Sequence, residues 1–93
     1  MIVRIATEGQ YELVDGELAA QLNALDNDAV AAVEAGDEAR FADLFGQIVR
    51  FVREHGTRLG DDDLRGSDVI VPPPDTSFEE ARHEFSGDGL IPD

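Results

Sequence analysis

The chain has 93 residues, 42% of them apolar, with five Phe, one Tyr, no Trp and no Cys, and this length predicts one domain whose modest core forms without disulfide bonds. Twenty-one Asp and Glu residues stand against seven Arg and no Lys, which gives a net charge of −14. This charge repels phosphate backbones and anionic lipid head groups, so it argues against nucleic acid and the membrane surface as direct ligands.

The first stretch, about residues 1–14, predicts a β-hairpin. Its first strand carries three β-branched residues before Ala6, and the turn from Thr7 to Gln10 contains a glycine. The residues from Tyr11 to Val14 would return antiparallel. A lone hairpin is marginally stable in water, so we expect a helix to cover one of its faces.

The longest patterned stretch predicts two amphipathic helices, at about residues 17–35 and 38–55. Apolar residues recur at steps of three and four in both. Gly36 suits a left-handed position that ends the first helix, and Asp37 suits the cap of the second. The short connection makes the pair an antiparallel αα-hairpin. Asp26-Asn27-Asp28 are poor helix formers, but the apolar pattern stays in phase across them, which favours one continuous first helix.

The remainder, residues 59–93, predicts an acidic loop and a proline-broken segment appended to a core in residues 1–58. Residues 69–71 form a short apolar run before three prolines, so they fit at most an edge strand added to the hairpin. A short helix is predicted at 77–85, with Thr76 as its cap and Glu79 reaching back. Gly87 and Gly89 would end this helix, and Leu90-Ile91-Pro92 would form a small apolar tail.

Reaction chemistry is not indicated anywhere in the sequence. Asp61, Asp62 and Asp63 are adjacent, without the alternating ligands, central glycine and distal Glu of a calcium loop. No phosphate-binding glycine motif or nucleophile elbow is present, and the two His residues have no ligand pair at helical spacing. We therefore expect no enzyme activity, no metal and no cofactor.

The second helix carries the feature most suggestive of function, because its apolar band is broader than one facing helix can cover. Either the β-hairpin and the C-terminal helix cover the rest, or part of the band docks on a helical partner. The acidic loop would then steer association toward a basic surface. The candidate partner-binding residues are Phe41, Leu44, Phe45 and Phe51 on the helix, and Asp61, Asp62 and Asp63 in the loop.

Five short strings, in a fixed order, give the sequence a family likeness. They are Glu8-Gly9-Gln10-Tyr11, Leu22-Asn23-Ala24-Leu25-Asp26, Ala32-Val33-Glu34-Ala35-Gly36-Asp37, Asp68-Val69-Ile70-Val71-Pro72-Pro73 and Gly89-Leu90-Ile91-Pro92. With these strings the chain resembles the PspA-associated protein family, PspAA, over essentially its whole length. The resemblance implies a small cytoplasmic accessory protein, without catalytic residues, that binds PspA, a coiled-coil protein of the envelope stress response.

Two other functions remain open on sequence grounds. An acidic inhibitor or nucleic-acid mimic would block a basic site of another protein, and a structural homodimer would use the broad apolar band on itself. Adaptation to a salty cytoplasm would produce the same net charge without any partner. The protein is expected in the cytoplasm and at the membrane only through its partner, because the sequence shows neither a signal peptide nor a membrane-spanning run.

Overall fold

A computed structural model describes residues 1–85 and 89–91. It has the α+β fold predicted from the sequence, with an N-terminal β-hairpin, an αα-hairpin, further strands and a short C-terminal helix. The elements in chain order are β1 (Ile2–Ile5), β2 (Gly9–Glu12), α1 (Gly16–Glu34), α2 (Glu38–His55), β3 (Thr57–Arg58), β4 (Val69–Val71) and α3 (Phe78–Glu84).

The strands form one sheet in the order β3-β2-β1-β4. The predicted hairpin is the antiparallel pair β1 and β2, in which Val3 lies opposite Tyr11. The predicted edge strand β4 pairs with β1 in parallel, with Val3 opposite Val69. Strand β3 was not predicted, because two exposed polar residues carry no alternation. It pairs antiparallel with β2 where the chain leaves α2.

The hairpin turn is tighter than predicted, so β2 begins at Gly9 instead of near Tyr11. Thr7 adopts a positive φ of 69°, and the backbone N–H of Glu8 donates to the carbonyl of Ile5 at 2.9 Å. This closed turn advances the return strand by two residues. Leu13, beyond the end of β2, is nevertheless buried, and its N–H donates to the carbonyl of Met1.

The two long helices begin and end within one residue of their predicted bounds. The Asp15 side chain accepts the N–H of Glu17 at the start of α1, and Asp37 accepts the N–H of Arg40 at the start of α2. Gly36 has a φ of 70° between them, a conformation that side chains with a Cβ rarely adopt. Helix α1 is continuous through Asp26, as the phase of its apolar residues predicted.

The core lies between one face of the sheet and the helices. Alternate residues of β1 and β4 point into it, and α2 presents the fully buried Ile48 and Val52. The segment after residue 58 also contributes, although the sequence suggested a core within residues 1–58. The buried residues of that segment, within the described part of the chain, are Val69, Val71, Pro72, Ala81 and Phe85.

Helix α3 packs on the N-terminal half of α2 through aromatic rings. The ring of Phe85 lies 5.0 Å from that of Phe41 and 5.8 Å from that of Phe45, between centroids. Its cap is Ser77, whose hydroxyl accepts the N–H of Glu80 at 3.3 Å, so the prediction of Thr76 was wrong by one residue. Both residues carry a hydroxyl, and the sequence alone did not fix the phase. The predicted stop at Gly87 and the tail residue Pro92 lie outside the described residues.

Candidate partner-binding surface

Three of the predicted partner-binding residues, Phe41, Leu44 and Phe45, are buried in the core. The rings of Phe78 and Phe85 pack edge-on against Phe41, with centroids 5.5 and 5.0 Å away. Cover by the C-terminal helix was one of the two outcomes left open by the sequence. Phe41 and Phe45 also line the groove described below.

The fourth candidate on α2, Phe51, is only half-buried. Its ring lies 4.7 Å from the imidazole of His55, between centroids, one turn further along the helix. It packs against the edge of the core without being part of the buried cluster. Phe51 therefore presents apolar surface to solvent at the end of α2.

The acidic loop divides into two exposed carboxylates and one that is held in place. Asp61 and Asp62 are exposed. Arg65 donates to Asp63 at 2.9 Å and to Glu12 of β2 at 3.2 Å. This guanidinium lowers the pKa of Asp63, mainly through its side-chain hydrogen bonds. Only the first two side chains are thus available to a partner as unpaired charges of this loop.

A groove follows α2 on the side that faces the segment before α3. It has a volume of about 320 Å³. The α2 positions that line it recur at steps of three and four over four turns, which is about 22 Å at ~1.5 Å per residue. The lining residues are Glu38, Phe41, Ala42, Phe45, Gly46, Val49, Arg50 and Arg53 of α2, with Pro74, Thr76 and Phe78 opposite.

Gly46 lies in the middle of this groove and in the interior of a helix. Glycine at such a position costs about 0.5–1 kcal/mol relative to alanine. A Cβ added there would lie 3.4 Å from Nη1 of Arg50, the end of a flexible side chain, and would meet no other side chain within 4 Å. Packing among the described residues therefore does not account for the glycine, which was not among the residues predicted from the sequence to bind a partner.

The charges along the groove differ in sign from the protein as a whole. Its lining holds two Arg and one Glu, whereas the chain has a net charge of −14. Arg53 is engaged by the carboxylate of Glu8, to which its Nε donates at 2.9 Å. Arg50 is exposed and has no ion pair within residues 1–85 and 89–91. Arg50 is thus the cation of the groove that is available to a bound carboxylate.

Two further properties concern the part of the chain that the structure describes. No helix in it is both long and apolar enough to cross a lipid bilayer. No group of three or more His, Asp or Glu side chains in it is arranged to hold a metal ion.

Comparison with known protein families gives a match over the whole chain. The family model described as PspA-Associated protein, PspAA, matches residues 1–93, the whole chain. The chain belongs to this family. No curated protein and no solved structure matches.

The first PspAA-like string, Glu8 to Tyr11, forms a hydrogen-bonded corner that joins the hairpin to α2. The Tyr11 hydroxyl donates to the Glu8 carboxylate at 2.7 Å, and Arg53 makes a forked contact with the same carboxylate. Arg53 and then Tyr11 are the main reasons that the pKa of Glu8 falls to about 2. Burial, followed by the bond to Glu8, raises the pKa of Tyr11. The corner holds Arg53 at the rim of the groove.

Two other PspAA-like strings meet at Asp26. This residue is 1% exposed, and its carboxylate accepts the backbone N–H groups of Leu90 and Ile91, each at 2.9 Å. Gly89 precedes them with a φ of 78°, and a Cβ there would lie 2.7 Å from the carboxylate. Asp26 thus holds residues 89–91 against the middle of α1, a role that was not predicted from the sequence.

Proposed function

We propose that this protein is a non-enzymatic adaptor or regulator that binds PspA in the envelope stress response. The observation that carries the proposal is the match of the whole chain to the PspA-Associated protein family. The described surface supports it, because it offers an apolar groove along a helix and half-exposed aromatic surface at Phe51. Helical proteins commonly bind partner helices through such features.

The net charge of −14 supports a partner with basic surface. Opposite charges accelerate diffusional encounter, whereas apolar contacts mainly determine how slowly the complex dissociates. The exposed Asp61 and Asp62 extend this negative field beyond the sheet. The proposal places the protein in the cytoplasm, without nucleic acid or direct membrane insertion, and brings it to the membrane through PspA.

Binding kinetics with purified PspA test the proposal. We expect complex formation in which the association rate falls with added NaCl, while the dissociation rate changes little. Replacing both Asp61 and Asp62 by Asn should slow association. The matched control, Glu34→Gln with Glu54→Gln, removes the same charge from the exposed ends of α1 and α2. If no complex forms even at high micromolar concentration, the proposal is wrong.

Capture of partners from a native lysate separates the other two functions. A nuclease or nucleic-acid-binding protein, recovered in place of PspA, would favour the acidic inhibitor. A monodisperse dimer that recovers no partner would favour the structural homodimer. Recovery of PspA supports the adaptor.

A further inference from the structure

We propose that the groove along α2 is the PspA-binding surface and that its occupant is a single amphipathic helix of PspA. The inference deepens the proposed function and rests on it. It names the face used, the secondary structure of the bound segment and the charges that segment must carry.

The course of the groove along α2 favours a helix as its occupant. Its lining spans four turns of α2, and Pro74, Thr76 and Phe78 line it from outside that helix. Its floor is formed by the nearly buried Phe41, Phe45 and Val49. Its accessible apolar surface comes from Ala42, Pro74 and Phe78. A helix laid in a groove of this kind contacts it through positions spaced three and four apart.

The charges of the groove specify the occupant further. Arg50 has no ion pair in the described part of the chain, so it favours a carboxylate at the position of the bound helix that faces it. Glu38, at the other end of the groove, calls for a cation. These two residues are twelve positions apart on α2, which is about 18 Å. We therefore infer that the bound helix carries an acidic and a basic side chain about 18 Å apart, at opposite ends of an apolar stripe.

Gly46 gives the first test, because a side chain there obstructs the groove without disturbing the core. Gly46→Gln should raise the melting temperature by a few degrees, since glutamine favours a helix more than glycine does. The same change should raise the Kd for purified PspA about tenfold or more, since the side chain lies where the partner helix docks. Ala24→Gln, on the exposed side of α1, is the matched control and should leave the Kd unchanged.

Reversal of charge at Arg50 gives a second test that does not alter the apolar lining. Arg50→Glu should raise the Kd about tenfold, because it places two carboxylates against each other. Arg40→Glu changes the net charge by the same amount on the same helix, outside the groove, and should have a much smaller effect. Both variants should keep the native circular dichroism spectrum, since both side chains are exposed.

The outcomes separate this inference from the proposed function. If the unmodified protein binds PspA and both groove variants bind as tightly as their controls, the groove is not the interface, although the adaptor function stands. If the unmodified protein does not bind PspA, both proposals fail. If Gly46→Gln lowers the melting temperature, the comparison of Arg50→Glu with Arg40→Glu decides alone.

Discussion

The described residues of the C-terminal segment after β4 contact the helical hairpin through α3 and through residues 89–91, by contacts of different kinds. Helix α3 lies on α2 through a cluster of aromatic rings, in which Phe85 is fully buried. The residues from Gly89 to Ile91 are attached to α1 by two hydrogen bonds from backbone N–H groups to the buried carboxylate of Asp26. The first attachment depends on apolar area alone. The second combines the apolar packing of Leu90 and Ile91 against the core with two directional hydrogen bonds to fixed oxygen atoms.

The difference lies in what each attachment tolerates. An aromatic cluster can adjust to small shifts, because dispersion and the hydrophobic effect are non-directional. A buried carboxylate cannot, since each N–H that loses its acceptor remains unsatisfied in an apolar surrounding. We expect the tail to be sensitive to single-atom changes and α3 to be sensitive to lost volume.

The largest effect is expected where both attachments depend on the same core. Leu22→Asp and Ile48→Asp each introduce a charge into a fully buried position between the helices and the sheet. An uncompensated buried charge costs several kcal/mol, which is comparable to the stability of a small domain. Both variants should lose the native circular dichroism spectrum and the cooperative melting transition. A native transition in both would contradict the helical packing described above.

A smaller loss is expected from the aromatic attachment. Phe85→Ala should reduce the free energy of unfolding by about 3–5 kcal/mol, because it leaves a cavity beside two rings of α2. Phe78→Ala is the control, and its half-buried ring should cost clearly less. Urea denaturation of the two variants makes the comparison. Equal losses of unfolding free energy in the two variants would contradict the expectation that the more buried ring contributes more to stability.

The hydrogen-bonded attachment should respond to a change of one atom. Asp26→Asn keeps the shape of the side chain but replaces one acceptor oxygen by a donor that faces an N–H. The expected loss of stability is about 1–3 kcal/mol. Asp28→Asn makes the same substitution two residues away at an exposed site and should change stability by less than about 0.5 kcal/mol. Equal losses of stability at the two sites would show that Asp26 does not stabilise the protein through its two hydrogen bonds.

The smallest effect is the pH dependence of the corner around Glu8, which serves neither attachment. Its pKa is lowered from 4.5 to about 2, so the stabilisation is present above pH 4.5 and is lost as the pH falls toward 2. Since this surface pair is screened by solvent, we expect about 1 kcal/mol. Glu8→Gln and Arg53→Gln should each flatten the curve of stability against pH in this range. An unchanged slope in both would exclude the pair as its cause.

The local features of the fold were predictable from sequence, and the long-range ones were not. The helix bounds followed from apolar periodicity, from Asp37 as a cap and from Gly36 as a stop, all of which act within one or two turns. From its residue type, Asp26 was interpreted only as a weak helix former. Its role as a buried acceptor could not be predicted locally, because its hydrogen-bond partners lie more than sixty residues away. No local pattern distinguishes a buried carboxylate from an exposed one in an Asp-Asn-Asp triplet.

The candidate site likewise divides into a local part, which the sequence pattern indicates, and a long-range part, which it does not. The sequence led us to predict a partner surface on α2, because one facing helix could not cover the apolar band of α2. How much of the band α3 takes depends on tertiary packing, which buries Phe41 and Phe45 and leaves the groove beside them. Gly46 was a visible signal, because a glycine in a helix interior has a cost that local structure does not explain.

The outer strands of the sheet have a consequence for how the protein meets other chains. Strand β3 has two residues and β4 has three, and β4 is followed directly by prolines that lack an N–H donor. Neither edge offers the row of backbone donors and acceptors that an added strand requires. Both strand addition by a partner and edge-to-edge aggregation are therefore disfavoured at these strands. A partner would have to be recognised through side chains, which single substitutions can alter without rebuilding the backbone.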